Sequence, residues 1–182
     1  MTLIKIFFDI LLALVSLIPA LPVMIISSIV ILIFDRQNPL FFQERIGLNK
    51  KVFTIIKLRS MKNGHITKPG RILRKTGIDE LPQLFNIIFT DMSFVGPRPI
   101  TQFDIDRLGW NGNYYASRWQ VRPGITGLAQ ISKSCHKKMS WFLDKKYVQC
   151  NNFLLDFKII FSSFAILFVG KIKVKKWLHP NQ

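Results

Sequence analysis

From Ile10 to Phe34 the chain carries 25 consecutive residues without one charged side chain. About 20 apolar residues are enough to cross a bilayer as a helix, so this run predicts a membrane segment. It exceeds the apolar core of a secretory signal, about 7 to 15 residues, and no small-residue cleavage site is followed by a polar start, so it is expected to be retained. Pro19 and Pro22 fall inside it. Each removes a helical hydrogen bond and crowds the preceding turn, which predicts a kink or break. A broken helix can still cross the bilayer, or it can enter and turn back. Lys5 on one flank and Arg36, Arg45, Lys50 and Lys51 on the other favour the re-entrant form, since the positive-inside rule then has no asymmetry to resolve.

Beyond Phe34 the pattern changes. Asp35 to Pro39 reads as a turn, Leu40 to Gly47 as a short strand or interfacial segment, and Val52 to Arg59 as a β-branched strand. Lys62 to Gly70 reads as a loop. Leu81 to Phe89 has helical apolar spacing, and Asp79 as its N-cap would place Pro82 in the first turn, where proline is tolerated. Residues 103–120 suggest short helices, and Arg122 to Gly127 another loop. From Phe153 the chain is again apolar, ending in Lys171, Lys173, Lys175 and Lys176; this segment reads either as a core helix or as one lying at a membrane interface. The expected fold class is α+β, mainly helical. Its expected domains are a membrane segment at 1–35 and a catalytic domain at 36–182.

The charge sharpens this picture. Among 182 residues, 26 are Lys or Arg and only 10 are Asp or Glu, a net charge of +16 beside a hydrophobic content of 49%. A basic soluble protein could bind nucleic acid, but an uncharged run this long points to membrane lipids instead. Cys135, Cys150 and three scattered histidines form no zinc-ligand spacing.

Against that background Asp79-Glu80 stands out, an acidic pair between Gly70-Arg71-Ile72-Leu73-Arg74-Lys75 and Ser93-Phe94-Val95-Gly96-Pro97-Arg98-Pro99. It is a bare helix start or a phosphoryl-transfer site, and the cations on both sides favour the second. A lipid-linked diphosphate phosphatase would share these residues and differ in passing the phosphate to water. A basic surface scaffold would have no use for the carboxylates.

Five motifs occur in order: Lys57-Leu58-Arg59-Ser60-Met61, the Gly70 to Lys75 run, Asp79-Glu80-Leu81-Pro82-Gln83-Leu84-Phe85-Asn86, Asp91 to Pro99, and Arg122-Pro123-Gly124-Ile125-Thr126-Gly127. Together they resemble the small monotopic phosphoglycosyl transferases, the initiating sugar transferases of bacteria, over nearly the whole chain. The resemblance implies transfer of a phospho-sugar from a UDP-sugar donor to a polyprenyl phosphate such as undecaprenyl phosphate, with UMP released and Mg²⁺ as cofactor. It implies a re-entrant helix and a catalytic domain on the cytoplasmic face of the inner membrane. A homodimer is compatible with it. By the same resemblance Asp79 is the nucleophile and a metal ligand, and Glu80 assists by orienting Mg²⁺ or by handling a proton. Lys57, Arg74 and Arg98 then bind the donor phosphates. Departures from the family pattern include a short 62–69 loop, Leu128 in place of a frequent tryptophan, and a compressed Trp141 to Tyr147 segment that leaves Asp144 as a candidate active-site acid.

Overall fold

The computed structural model describes residues 3–132 and 137–169. The terminal lysine cluster and Cys135 lie outside the described residues. The chain forms two compact units, one joining the chain up to Glu44 with Thr54–Thr90, the other joining Arg45–Phe53 with the chain from Asp91 onward. The long apolar helix shares a unit with Asp79.

In that first unit α1 runs over Leu3–Val30 and continues as a π-helical turn, Ile31–Asp35. The break expected at Pro19 and Pro22 is absent from the helix, which passes through both. Both prolines sit on its exposed side. Asp9, Ala13, Leu17, Ala20, Met24 and Ser27 are buried, and Ile31 and Asp35 extend the same stripe through the π turn. Steps of three and four residues keep these positions on one face. That face packs against the later helix α3 of the same unit. Most other α1 side chains are exposed and apolar, including Ile18 at 73% and Phe7 at 64%. The helix is long and apolar enough to cross a membrane.

Strands β1 (Leu40–Ile46) and β2 (Val52–Leu58) pair as a two-stranded sheet. The stretch expected to be a loop instead forms a small antiparallel hairpin, β3 (Met61–Lys62) with β4 (His65–Ile66), before helix α2 (Lys68–Thr76) begins. Thr67 caps α2 by accepting from Gly70 N at 3.0 Å, and its hydroxyl donates to the buried Asp35 carboxylate at 2.8 Å. Gly77 ends α2 with φ +75°, a left-handed conformation that glycine adopts without strain. A 3₁₀ turn over Ile78–Glu80 then leads to α3 (Gln83–Ile88). Ile31, Leu58 and Leu73 form one apolar cluster of this unit, with Ile78 packed against it.

The second unit is organised by a parallel pair, β5 (Ser93–Val95) and β6 (Gly124–Thr126), so the expected loop at 122–127 contains a strand. Between them run α4 (Gln102–Leu108), with a Thr101–Asp104 capping box, and a 3₁₀ stretch over Asn113–Gln120. Helices α5 (Leu128–Ile131), α6 (Lys137–Cys150) and α7 (Phe153–Val169) follow. One core joins Ile46, Ile105, Trp110, Trp119 and Trp141; a second joins Val95, Val121, Ile131, Tyr147 and Ile159. Helix α7 is buried on one side and apolar and exposed on the other. It buries Asp156, Ile159 and Ser162, while Phe153, Leu154, Phe157, Phe161 and Phe164 are exposed. The described chain is mainly helical, as its pattern predicts.

Candidate active site

Asp79 sits in the 3₁₀ turn, not at the N-cap of α3. The reason is local: α2 stops at Gly77, one 3₁₀ turn bridges the gap, and Pro82 takes the N-cap position of α3 with φ −62°. Helix α3 has only six residues, so helix-dipole stabilisation of Asp79 is not part of its chemistry. What surrounds it is charge. Burial raises the Asp79 pKa above its ordinary value and the neighbouring Glu80 raises it further, while Lys57 and Arg74 pull it back without cancelling the rise.

Lys57 and Glu80 form an ion pair, Nζ to Oε1 at 3.0 Å, with side chains 16% and 26% exposed. Arg74 is held differently. Its Nε donates to Ser60 Oγ at 2.8 Å, which fixes the plane of an exposed guanidinium. Ser60 itself is buried, and its carbonyl accepts from Thr67 N at 3.2 Å. This is why residue 70 is glycine: a Cβ there would lie 2.0 Å from Ser60 O. The turn, β2 and α2 thus bring Asp79, Glu80, Lys57 and Arg74 into one electrostatic group.

Arg98 lies in the other unit, exposed between the buried prolines Pro97 and Pro99. Its carbonyl accepts from Arg118 Nη2 at 2.5 Å. The loop around it is pinned to β6 by Gly124 N to Pro97 O at 3.0 Å and Gly96 N to Thr126 O at 2.9 Å. Two motifs far apart in sequence meet here at a distance only glycines permit, since a Cβ on Gly124 would come within 2.1 Å of Gly96 N. Asp144, the candidate acid, is instead sealed in an ion pair: Arg118 Nε donates to its Oδ2 at 2.8 Å, and both side chains are 3% exposed. Burial raises the Asp144 pKa, against the opposing pull of Arg118. Its task is to hold Arg118, which also lies over the rings of Trp110 and Trp119.

Ser60 and Asn86 are side chains to which sequence reasoning assigned no role. Asn86 is 2% exposed and bonds the backbone of β2, accepting from Ile56 N at 3.0 Å and donating to Thr54 O at 2.7 Å. The available signal was a polar residue inside an apolar run, Phe85-Asn86-Ile87.

For a divalent cation the donor set is small. Among the described residues no three His, Cys, Asp or Glu side chains cluster. With Glu80 engaged by Lys57, the carboxylate of Asp79 is the one of the kind Mg²⁺ takes, an ion that binds one or two protein carboxylates and completes its shell with substrate phosphates and water.

Known proteins share this chain's pattern. An uncharacterized sugar transferase of Bacillus subtilis is 39% identical over an alignment of 155 residues that covers 76% of this chain and 74% of that protein. The UDP-glucose:undecaprenyl-phosphate glucose-1-phosphate transferase of Caulobacter vibrioides is 40% identical over 124 residues, 60% of this chain and 46% of its own length. A UDP-N-acetylgalactosamine-undecaprenyl-phosphate N-acetylgalactosaminephosphotransferase of Aeromonas hydrophila is 31% identical over 181 residues, 89% of this chain and 43% of its own length. The chain therefore spans about three quarters of the first relative and less than half of the other two. The model of the bacterial sugar transferase family matches residues 1–170, and the chain belongs to that family.

Proposed function

We propose that this protein transfers a sugar phosphate from a UDP-sugar to a polyprenyl phosphate at a membrane surface, with Asp79 as the covalent nucleophile. The observation that carries this reading is Asp79 itself, half-buried in a turn beside Glu80 and within the fields of Lys57 and Arg74, in a chain of the sugar transferase family. An Asp79 oxygen bonds to the phosphorus that bears the sugar, and the bond from that phosphorus to UMP breaks. A phosphate oxygen of the polyprenyl acceptor then attacks the same phosphorus and frees the carboxylate. Two steps suit this problem because one substrate is water-soluble and the other lives in lipid, so the two are never held together. Lys57 and Arg74 stabilise charge on the transferring phosphoryl group, Arg74 through the face that Ser60 leaves open. The motif gives Arg98 a donor-phosphate role of its own, as an exposed guanidinium on a proline-stiffened backbone. Asp79 would hold Mg²⁺, whose contribution is to neutralise phosphate charge, with Glu80 orienting the ion or handling a proton.

Helix α1, exposed and apolar on most of its surface, anchors the chain in the inner membrane, re-entrant with both flanks cytoplasmic. The exposed phenylalanine face of α7 rests at the same interface. The two named relatives carry different sugars, glucose and N-acetylgalactosamine, so the donor is assigned to UDP-sugars as a class. The deciding experiment incubates the protein with a panel of UDP-sugars, undecaprenyl phosphate and Mg²⁺ and follows UMP. With donor and no acceptor, mass spectrometry should find a phospho-sugar on Asp79. An unmodified peptide under conditions that otherwise give product overturns the covalent route, and release of free sugar phosphate to water in place of lipid product identifies a hydrolase.

A further inference from the structure

Among the described residues strand β2 has β1 as its one strand neighbour, which leaves its other edge to be satisfied by something else. Asn86 does this. Its Oδ1 accepts from Ile56 N at 3.0 Å and its Nδ2 donates to Thr54 O at 2.7 Å, so one side-chain amide bonds the two backbone groups that flank Ile55. A residue on a neighbouring parallel strand bonds its partner strand in this way, through one N–H and one C=O on either side of a single residue. The chemistry is selective for asparagine. Aspartate would offer two acceptors and set an oxygen against Thr54 O, while leucine, of similar size, would offer neither group.

The consequence falls on Lys57. Ile55 and Lys57 are two residues apart on a strand and therefore share a face. Ile55 is 1% exposed, and Lys57 reaches Glu80 Oε1 at 3.0 Å. Glu80 and Asn86 belong to one continuous segment, the turn that carries Asp79 and the short helix α3 that follows it. The strand and this segment are thus tied at two points, at Asn86 through neutral hydrogen bonds and at Lys57 through an ion pair. The ion pair is the partly exposed one. The amide is buried and has its register set by the strand.

We propose that Asn86 is a positioning residue for the transfer reaction, its amide standing in for a missing parallel strand so that Lys57 is held where it pairs with Glu80 beside Asp79. This rests on the transfer reading above. Without the amide, Ile56 N–H and Thr54 C=O seek water, β2 moves away from α3, and Lys57 leaves its partner.

The test uses the full-length protein in lipid nanodiscs, comparing the parent with Asn86→Ala below the melting temperature of both. The first measurement is kcat/KM for UMP release with the UDP-sugar found in the donor panel and undecaprenyl phosphate. The second is the acetylation rate of Lys57, quantified by mass spectrometry against the exposed Lys51 as internal control. The expected result is a loss of tenfold or more in kcat/KM together with at least threefold faster acetylation of Lys57 and no change at Lys51. If Asn86→Ala does not fold, Asn86→Asp, which keeps the acceptor for Ile56 N–H, is carried through the same pair of measurements. Activity within twofold of the parent, or unchanged Lys57 labelling, overturns the proposal. The labelling does not depend on turnover, so its failure is separable from failure of the nucleophile assignment, which the peptide at Asp79 decides.

Discussion

Lys57 Nζ lies 3.0 Å from Glu80 Oε1, so this lysine is engaged with the second carboxylate of the acidic pair. Asp79 is left with burial and the like charge of Glu80 set against the fields of Lys57 and Arg74, and that balance raises its pKa. An ionised carboxylate held at some electrostatic cost is a reactive one. The pairing thus divides the dyad into one carboxylate engaged with a lysine and one facing chemistry.

Asp79→Asn should abolish transfer, with a loss of at least ~10³-fold, while membrane association is kept. It should also stabilise the fold. A group whose folded pKa is raised contributes stability below its unfolded pKa and loses it as pH rises through the folded value. At neutral pH the ionised Asp79 therefore opposes folding, and the asparagine variant should melt higher without divalent cations. The difference should vanish in acid, below the ordinary aspartate pKa of about 4. Thermal melts at the two pH values check this.

Direct titration of the Asp79 carboxyl by ¹³C NMR in metal-free protein should place it above the ordinary aspartate range. Glu80→Gln removes a raising charge and should move the titration down. Lys57→Gln and Arg74→Gln remove lowering charges and should each move it up.

Removal of one partner from the Arg118–Asp144 pair should be costly, because both side chains are 3% exposed. Asp144→Ala leaves a buried guanidinium without its carboxylate and should lose about 3–5 kcal/mol in urea unfolding. Asp144→Asn keeps an acceptor and should lose less.

Gly70→Ala places a Cβ 2.0 Å from a backbone oxygen that cannot rotate aside. The expected destabilisation is about 1–3 kcal/mol or more. Because that oxygen belongs to Ser60, which holds Arg74, the donor KM should rise along with the loss in stability.

If α1 is re-entrant, cysteine or tag labels at residue 1 and residue 182 should both be cytoplasmic. Periplasmic labelling of residue 1 alone would establish a span, which the uninterrupted helix over Leu3–Val30 is long enough to make.

What the sequence determined by itself is what depends on local composition and order. The uncharged run from Ile10 to Phe34, the strand at Val52, the helix from Phe153 and the acidic pair among cations were all readable, because hydrophobic periodicity and motif spacing are properties of neighbouring residues. The helix start assigned to Asp79 failed because Gly77 and Pro82 together favour a 3₁₀ turn before α3. The proline break failed because α1 keeps one buried stripe past both prolines, which lie on the opposite, exposed side. Only the tertiary structure decided that Asp144 serves Arg118, that Gly96 and Gly124 meet backbone to backbone, and that Asn86 completes the edge of β2. These relationships join residues 26 to 32 positions apart, where burial and pairing are set by which surfaces meet in space and leave no period or motif in the chain to announce them.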